Sequence, residues 1–124
     1  MKQTQMYMLQ KLAQANPNTE ICGFLVNVDG VDTVLPVPNV HYHPKHNFAM
    51  HAELQNIYMN NMLENITGMY HSHNNGKTGP SDGDIASWPD FPEAKDWLYY
   101  IVVDGEQIWS WRREDGVSVG SRIC

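Results

Sequence analysis

Apolar positions near the start of the chain recur at helical spacing, with Met6, Leu9 and Ala13 on one face. That helix should stop before Asn16-Pro17-Asn18, because the residue preceding a proline resists the α region. The period then disappears: residues 21–28 form a nearly continuous apolar run, which predicts a buried strand. Asp29-Gly30 is a strong hairpin signal leading into a second strand over 31–37, where Pro36 and Pro38 either end regular pairing or mark a sheet edge. Residues 39–50 carry no clear period and are expected to be loop or short strand. Helical spacing returns with Leu54, Ile57, Tyr58 and Met62, predicting an amphipathic helix over about 52–64. A strand over 67–73 follows, ending on two histidines. After a loop rich in Gly and Asn come a short helix opening near Ser81 and a final hairpin of 98–103 and 107–113 turned at Asp104-Gly105. This order implies an α/β sandwich around a mixed or mostly antiparallel sheet.

Composition narrows the class. A chain of 124 residues suits one domain, and no linker, repeat or composition break divides 1–124. Fourteen acidic against eight basic residues give a net charge of −6, and no basic run exceeds Arg112-Arg113, so a nucleic-acid partner is not expected. The N-terminus has no apolar signal region and no window is long and apolar enough to span a bilayer, so the expectation is a cytoplasmic protein without a membrane partner. Two cysteines, Cys22 in an apparent core strand and Cys124 at the end, offer no disulfide framework. Cys22 reads as an inert buried thiol.

The candidate chemistry lies in His71-Ser72-His73, seven intervening residues, then Ser81-Asp82-Gly83-Asp84. Histidines at i and i+2 on a strand share a face, and an aspartate from the start of the next helix can complete a three-ligand set. Two imidazoles and a carboxylate suit Zn2+, and three protein ligands leave a fourth position for water, as catalytic sites do. Hydrolysis also needs a group that takes a proton from water and returns it to the leaving amine. Glu20 is the best candidate, since it stands at the entrance of a run otherwise committed to burial, where an unpaired carboxylate is costly. Ser81 could donate its hydroxyl to an oxyanion.

Glu20-x-Cys22-Gly23, Gly68-x-x-His71-Ser72-His73 and Pro80-Ser81-x-x-Asp84 together resemble the JAMM (MPN-plus) metalloproteases, and the likeness covers nearly the whole chain. The resemblance implies a single JAMM/MPN-like domain with a mixed, mostly antiparallel curved sheet flanked by helices. It implies zinc on His71, His73 and Asp84, Glu20 as general acid/base and Ser81 as stabiliser of the tetrahedral intermediate. Inactive MPN relatives usually lack one or more of these positions, so the full set favours an active metallopeptidase or isopeptidase. Asn74 departs from the family, which commonly has proline there, and this bears on the shape of the loop rather than on the ligand set.

Each element has a blander meaning. Alone, Ser81-x-x-Asp84 is better read as a helix capping box, and His-x-His or Glu20 as ordinary strand polarity. Their joint occurrence reverses that balance. His41, His43, His46 and His51 read as loop or groove polarity rather than a second metal site, and Trp88, Trp97, Trp109 and Trp111 as packing residues. A peptide, or the C-terminal tail of a ubiquitin-like protein, is the expected substrate partner, added as a strand near the metal. Only seven residues separate His73 from Ser81, which leaves specificity for linked ubiquitin chains unsupported. The stretch from Val37-Pro38-Asn39 to Asn47-Phe48-x-Met50 is most similar to the JAMM domains of phage tail-tip proteins, so phage tail proteins are alternative partners and a virion tail the alternative location. Two non-enzymatic readings remain beside the hydrolase: a tail-assembly component in which zinc only stabilises the domain, and an MPN adaptor. Protein purified without added metal is expected to carry about one zinc per chain by elemental mass spectrometry, and Asp84→Ala to carry none.

Overall fold

A computed structural model describes residues 1–89, 91–114 and 117–124. Helix α1 (Gln3–Ala15) is followed by the hairpin β1 (Cys22–Val28) and β2 (Val31–Val37), then α2 (Ala52–Met62) and β3 (Ile66–His73). The short helix α3 (Asp82–Ala86) leads to β4 (Leu98–Val103), β5 (Gln107–Glu114) and β6 (Val117–Arg122). One six-stranded sheet has the order β2-β1-β3-β4-β5-β6, and every neighbouring pair is antiparallel except β3 and β4. The expected mixed, mostly antiparallel sheet with flanking helices is therefore the one observed.

Local chemistry explains the turns. Asp29 and Gly30 both have positive φ (51° and 82°), which is the backbone that a two-residue hairpin with right-handed strand twist requires, and Asp104 and Gly105 (51° and 71°) make the same kind of turn within a three-residue connection, 104–106. Pro36 sits on β2, an edge strand, where a missing N–H is tolerated. The parallel step from β3 to β4 needs a crossover, and α3 lies within it. The two histidines thus end a central strand at the point where the chain leaves the sheet.

Alternation along the strands divides the core between the two faces of the sheet. Leu25, Val34, Tyr70, Tyr100, Val102 and Ile108 pack with Leu9 and Ala13 of α1. Phe24, Val26, Met69 and Tyr99 pack on the other side with Trp88 and Trp97, and Leu54, Tyr58 and Met62 of α2 close over them. Trp88 and Trp97 are buried, and Trp111 packs against the same cluster, so these three tryptophans are packing residues, while Trp109 is half-buried.

Several boundaries differ from expectation. β1 begins at Cys22 rather than Ile21, because the Ile21 N–H is taken by a side chain, Ser72 Oγ, at 2.8 Å. α2 ends at Met62 and tightens into a single 3-10 turn, Leu63–Asn65, instead of running to residue 64. Residues 39–50 are loop closed by one antiparallel bridge, Asn39 to Met50. β5 is not the last strand: β6 pairs along it from Trp109↔Arg122 to Glu114↔Val117. The small and polar residues of Val117-Ser118-Val119-Gly120-Ser121-Arg122 give little strand signal, and pairing with β5 decides their conformation.

Gly23 stands where β1 crosses β3 and needs its missing side chain. A Cβ there would come within 2.2 Å of the Leu35 carbonyl oxygen and 2.6 Å of the Tyr70 hydroxyl. Gly23→Ala is expected to lower stability by about 2–3 kcal/mol, read as a lower denaturant midpoint with an unchanged slope.

Candidate metal centre

Three side chains from two elements converge. His71 and His73 project from the same face of β3, and Asp84 comes from the first turn of α3. The His71 Nε2 lies 3.0 Å from Asp84 Oδ2 and 3.1 Å from His73 Nε2, while His73 Nε2 is 3.4 Å from Asp84 Oδ2. All their ligand atoms fall within 4.8 Å of one another, and this is the one such grouping among the described residues. His71, His73 and Asp84 are 5%, 6% and 9% exposed, so the polar atoms face each other rather than water.

The electron pairs of this cluster require a cation or protons. His73 Nδ1 is 2.9 Å from the Lys77 carbonyl oxygen, which accepts its proton. In a neutral ring that assignment leaves the Nε2 lone pair directed at His71 and Asp84. The donors fit a divalent ion such as zinc, with the Lys77 carbonyl fixing one ring as outer-shell partners of metal sites do. Without an ion the same convergence perturbs titration. Burial pushes His71 down, against the opposing pull of Asp84. Burial also acts to lower His73, but its contacts with Asp84 and the Lys77 carbonyl, and the field of Glu20, outweigh it and raise its pKa. For Asp84 burial acts upward, yet hydrogen bonds to both histidines and from the Ser81 N–H hold it well below the usual carboxylate range.

Glu20 is 3% exposed and immediately precedes β1. Burial, with a smaller push from Asp84 and an opposing pull from His73, lifts its carboxyl from 4.5 to about 7. Its backbone is fixed on both sides: its N–H donates to the Pro44 carbonyl at 2.7 Å, and its carbonyl accepts from Asn39 Nδ2 at 2.8 Å. The next residue, Ile21, is clasped by Ser72, whose Oγ accepts its N–H at 2.8 Å and whose N–H donates to its carbonyl at 3.0 Å. The serine between the two histidines thus ties the glutamate-bearing segment to the histidine-bearing strand.

Ser81 caps α3. Its Oγ accepts the Asp84 N–H at 3.0 Å, and its own N–H donates to Asp84 Oδ2 at 2.8 Å, so the capping box is formed. The cap uses the hydroxyl as an acceptor and leaves its proton free to donate outward. The capping box and a hydroxyl proton outside it therefore coexist in the same residue.

Other sequence-based expectations are resolved nearby. Asn74, where proline is common, is half-buried, and the loop after it still delivers the Lys77 carbonyl to His73. Cys22 is 1% exposed, its thiol faces the Val37 carbonyl, and burial followed by the charge of Glu20 pushes it up to about 12, which fits an inert thiol. His41 and His43 flank Tyr42 in an exposed ring cluster, and His51 caps α2 by accepting the Leu54 N–H at 3.3 Å. Sequence reasoning missed Phe48, whose ring stacks on His71 with centroids 4.6 Å apart, and Asn39, whose side chain bonds residues on both sides of its loop. In the sequence Phe48 enters only within Asn47-Phe48-x-Met50, as part of a family likeness and not as a neighbour of the histidines.

The chain matches the model for prokaryotic homologs of the JAB domain over residues 4–114 and belongs to that family. A protein of Desulfitobacterium hafniense, solved in solution, superposes with a TM-score of 0.72 at 24% identity, covering 99% of this chain and 89% of that one. A second solution structure, from Salinibacter ruber, gives a TM-score of 0.57 at 21% identity, with 96% and 84% covered. Both likenesses concern the fold alone. No curated protein matches the sequence. Among the described residues no helix is long and apolar enough to cross a membrane.

The raised Glu20 pKa carries a stability consequence in metal-free protein. A carboxyl raised from 4.5 to about 7 favours the folded state fully only below its unfolded value, and that contribution is lost as pH rises through 7. Glu20→Gln, which cannot ionise, is expected to stabilise metal-free protein at pH 8 by about 2–3 kcal/mol, with the gain vanishing below pH 4.5. Denaturant midpoints at the two pH values check this; coincident midpoints at pH 8 would mean the ionised carboxylate is well accommodated.

Proposed function

We propose that this chain is a zinc-dependent hydrolase of peptide or isopeptide bonds, with His71, His73 and Asp84 holding the ion, Glu20 as general acid/base and Ser81 as oxyanion donor. The observation that carries this reading is a buried carboxyl, Glu20, close enough to a convergent His-His-Asp set to feel the charges of His73 and Asp84. A buried acid with no chemical task would be an unrecovered cost.

Zinc bound there supplies a water of lowered pKa and polarisation of the carbonyl under attack. The protein's own residues do the rest. Glu20 takes a proton as the attacking water adds to the carbonyl carbon, and returns it to the nitrogen as the C–N bond breaks, so the amine leaves neutral. Ser81, whose hydroxyl proton is not used by its cap, donates to the carbonyl oxygen as negative charge develops. Phe48 covers one face of His71 and keeps water from that side of the ring.

The surroundings of Glu20 bear on the substrate class we propose. Glu20 lines a cleft of about 400 Å³ whose walls include Leu12, Ile21, Pro36, Val37 and Leu54, a lining that suits an aliphatic side chain, although none of His71, His73, Ser81 and Asp84 borders it. A flexible peptide tail, such as the C-terminus of a small ubiquitin-like protein, supplies such a side chain on an extended backbone. A tail-assembly role in which the ion is structural is the competing reading, and it assigns no task to the raised carboxyl of Glu20.

Glu20→Gln is expected to retain zinc and to lose about 10²–10⁴-fold in turnover on conjugates carrying ubiquitin-like tails. Ser81→Ala should lose about 10²-fold in kcat with little change in KM. Full activity of Glu20→Gln would falsify the assignment of the base, while inactivity of every variant and the parent on a broad conjugate panel favours the assembly role.

A further inference from the structure

Asp84 sits on a segment that cannot hold itself in place. Between residues 74 and 88 only Asp84 and Trp88 are buried, and α3 has just five residues, far below the length at which a helix is stable alone. Yet the segment must present the Asp84 carboxylate to two histidines on another element. Two of its supports come from one strand. Trp111 and Arg113 occupy positions i and i+2 of β5 and so share a face. Trp111 Nε1 donates to the Thr78 carbonyl at 2.9 Å, and its ring lies against Gly79, where a Cβ would be 3.5 Å away. The ring is seated over its cross-strand partner Gly120 on β6, where any Cβ would strike it at 2.5 Å.

Arg113 takes the other end. Its Nη2 donates to the Ile85 carbonyl at 2.8 Å and to the Trp88 carbonyl at 3.4 Å, one in the last turn of α3 and one just beyond it. The guanidinium also lies 5.2 Å from the centre of the Trp88 ring, which stacks in turn on Tyr99 of β4 at 4.1 Å. Ser81 and Asp84 are therefore bracketed by two anchors, one at Thr78 before them and one at Ile85 and Trp88 after them.

We propose that Trp111 and Arg113 are positioning residues that fix the segment carrying Ser81 and Asp84, and that the metal affinity of the site depends on them. The second half of this proposal rests on the metal reading above; the first half does not. Neither side chain is among the candidate ligands. They act through backbone carbonyls, as outer-shell groups that remove the freedom a ligand would otherwise lose on binding the ion.

The test uses the full chain and three variants: Trp111→Phe, which keeps a ring but loses the donor; Arg113→Gln, which loses charge and fork; and Arg113→Lys, which keeps charge and one donor. In metal-free protein, amide hydrogen exchange across 81–88 is expected to accelerate in Trp111→Phe and Arg113→Gln, with the strands β1 and β3 unchanged, and Arg113→Lys to restore part of the protection. Zinc affinity, measured by competition with a chromophoric chelator, should weaken about 10–100-fold in the first two variants and less in Arg113→Lys. Cobalt substituted for zinc should show an altered visible spectrum in the same order. Unchanged exchange across 81–88 in both variants overturns the clamp, whatever the metal does. Faster exchange with unchanged zinc affinity overturns its role in positioning Asp84. Faster exchange in both variants, with a parent protein that takes up no zinc, supports the clamp and overturns the metal reading instead. A variant that unfolds shows faster exchange everywhere, and the Arg113→Lys comparison then decides.

Discussion

The register of β1 against β3 is the constraint on which the rest of the molecule depends. Cys22 faces His71 across that pair, and Ser72 exchanges two hydrogen bonds with Ile21 just beyond it. A strand's side chains alternate between faces, so a slip of one residue would turn His71 and His73 away from Glu20 and put Tyr70 and Ser72 on that face in their place. Gly23 permits the close approach, since a side chain there would strike both the Leu35 carbonyl and the Tyr70 hydroxyl. A single strand pairing thereby brings residues about fifty positions apart into one electrostatic environment.

That environment runs against the preferences that build the surrounding core. Glu20, His71, Ser72, His73 and Asp84 are all at most 9% exposed, in a protein whose other buried side chains are almost entirely apolar. Burial of ionisable groups is costly unless each finds a partner. The histidines and Asp84 answer that cost among themselves and through the Lys77 carbonyl and the Ser81 N–H, while Glu20 answers it by a raised pKa. Such local conflict with the folding rules is where function is expected, because stability is lost there for a chemical return. In a JAB-domain chain the conflict lies at the C-terminal end of the central strand β3, beside the crossover helix.

The elements whose local signals agreed with their burial were legible in advance. The Asp-Gly turns, the helical face of Met6, Leu9 and Ala13, and the apolar run of β1 each combined period, length and punctuation, and the structure places all of them within a residue or two. β6 lacked that agreement. Its Gly120 lowers strand propensity, yet that residue is required because the Trp111 ring occupies the space its side chain would fill. The cause is a contact across the strand pair, which no local window contains. The last turn of α2 failed for a similar reason: Asn65 leaves the helix to bond the Asn27 carbonyl at 3.0 Å, a partner thirty-eight positions away.

For the site, the sequence by itself determined the donor set: which imidazoles share a strand face, which carboxylate opens the next helix, and which serine caps it. Those relations are short-range and follow from the periods of strand and helix. The tertiary structure alone decided the rest. It placed Glu20 beside His73, laid Phe48 on His71, used Ser72 to join β1 to β3, and gave Trp111 and Arg113 the backbone of the Asp84 segment to hold. It also set the protonation of the cluster, since burial and the field of neighbouring charges exist only once distant segments are packed together. Spacing along a chain specifies what a residue can donate; its affinity for protons and ions is a property of the volume around it.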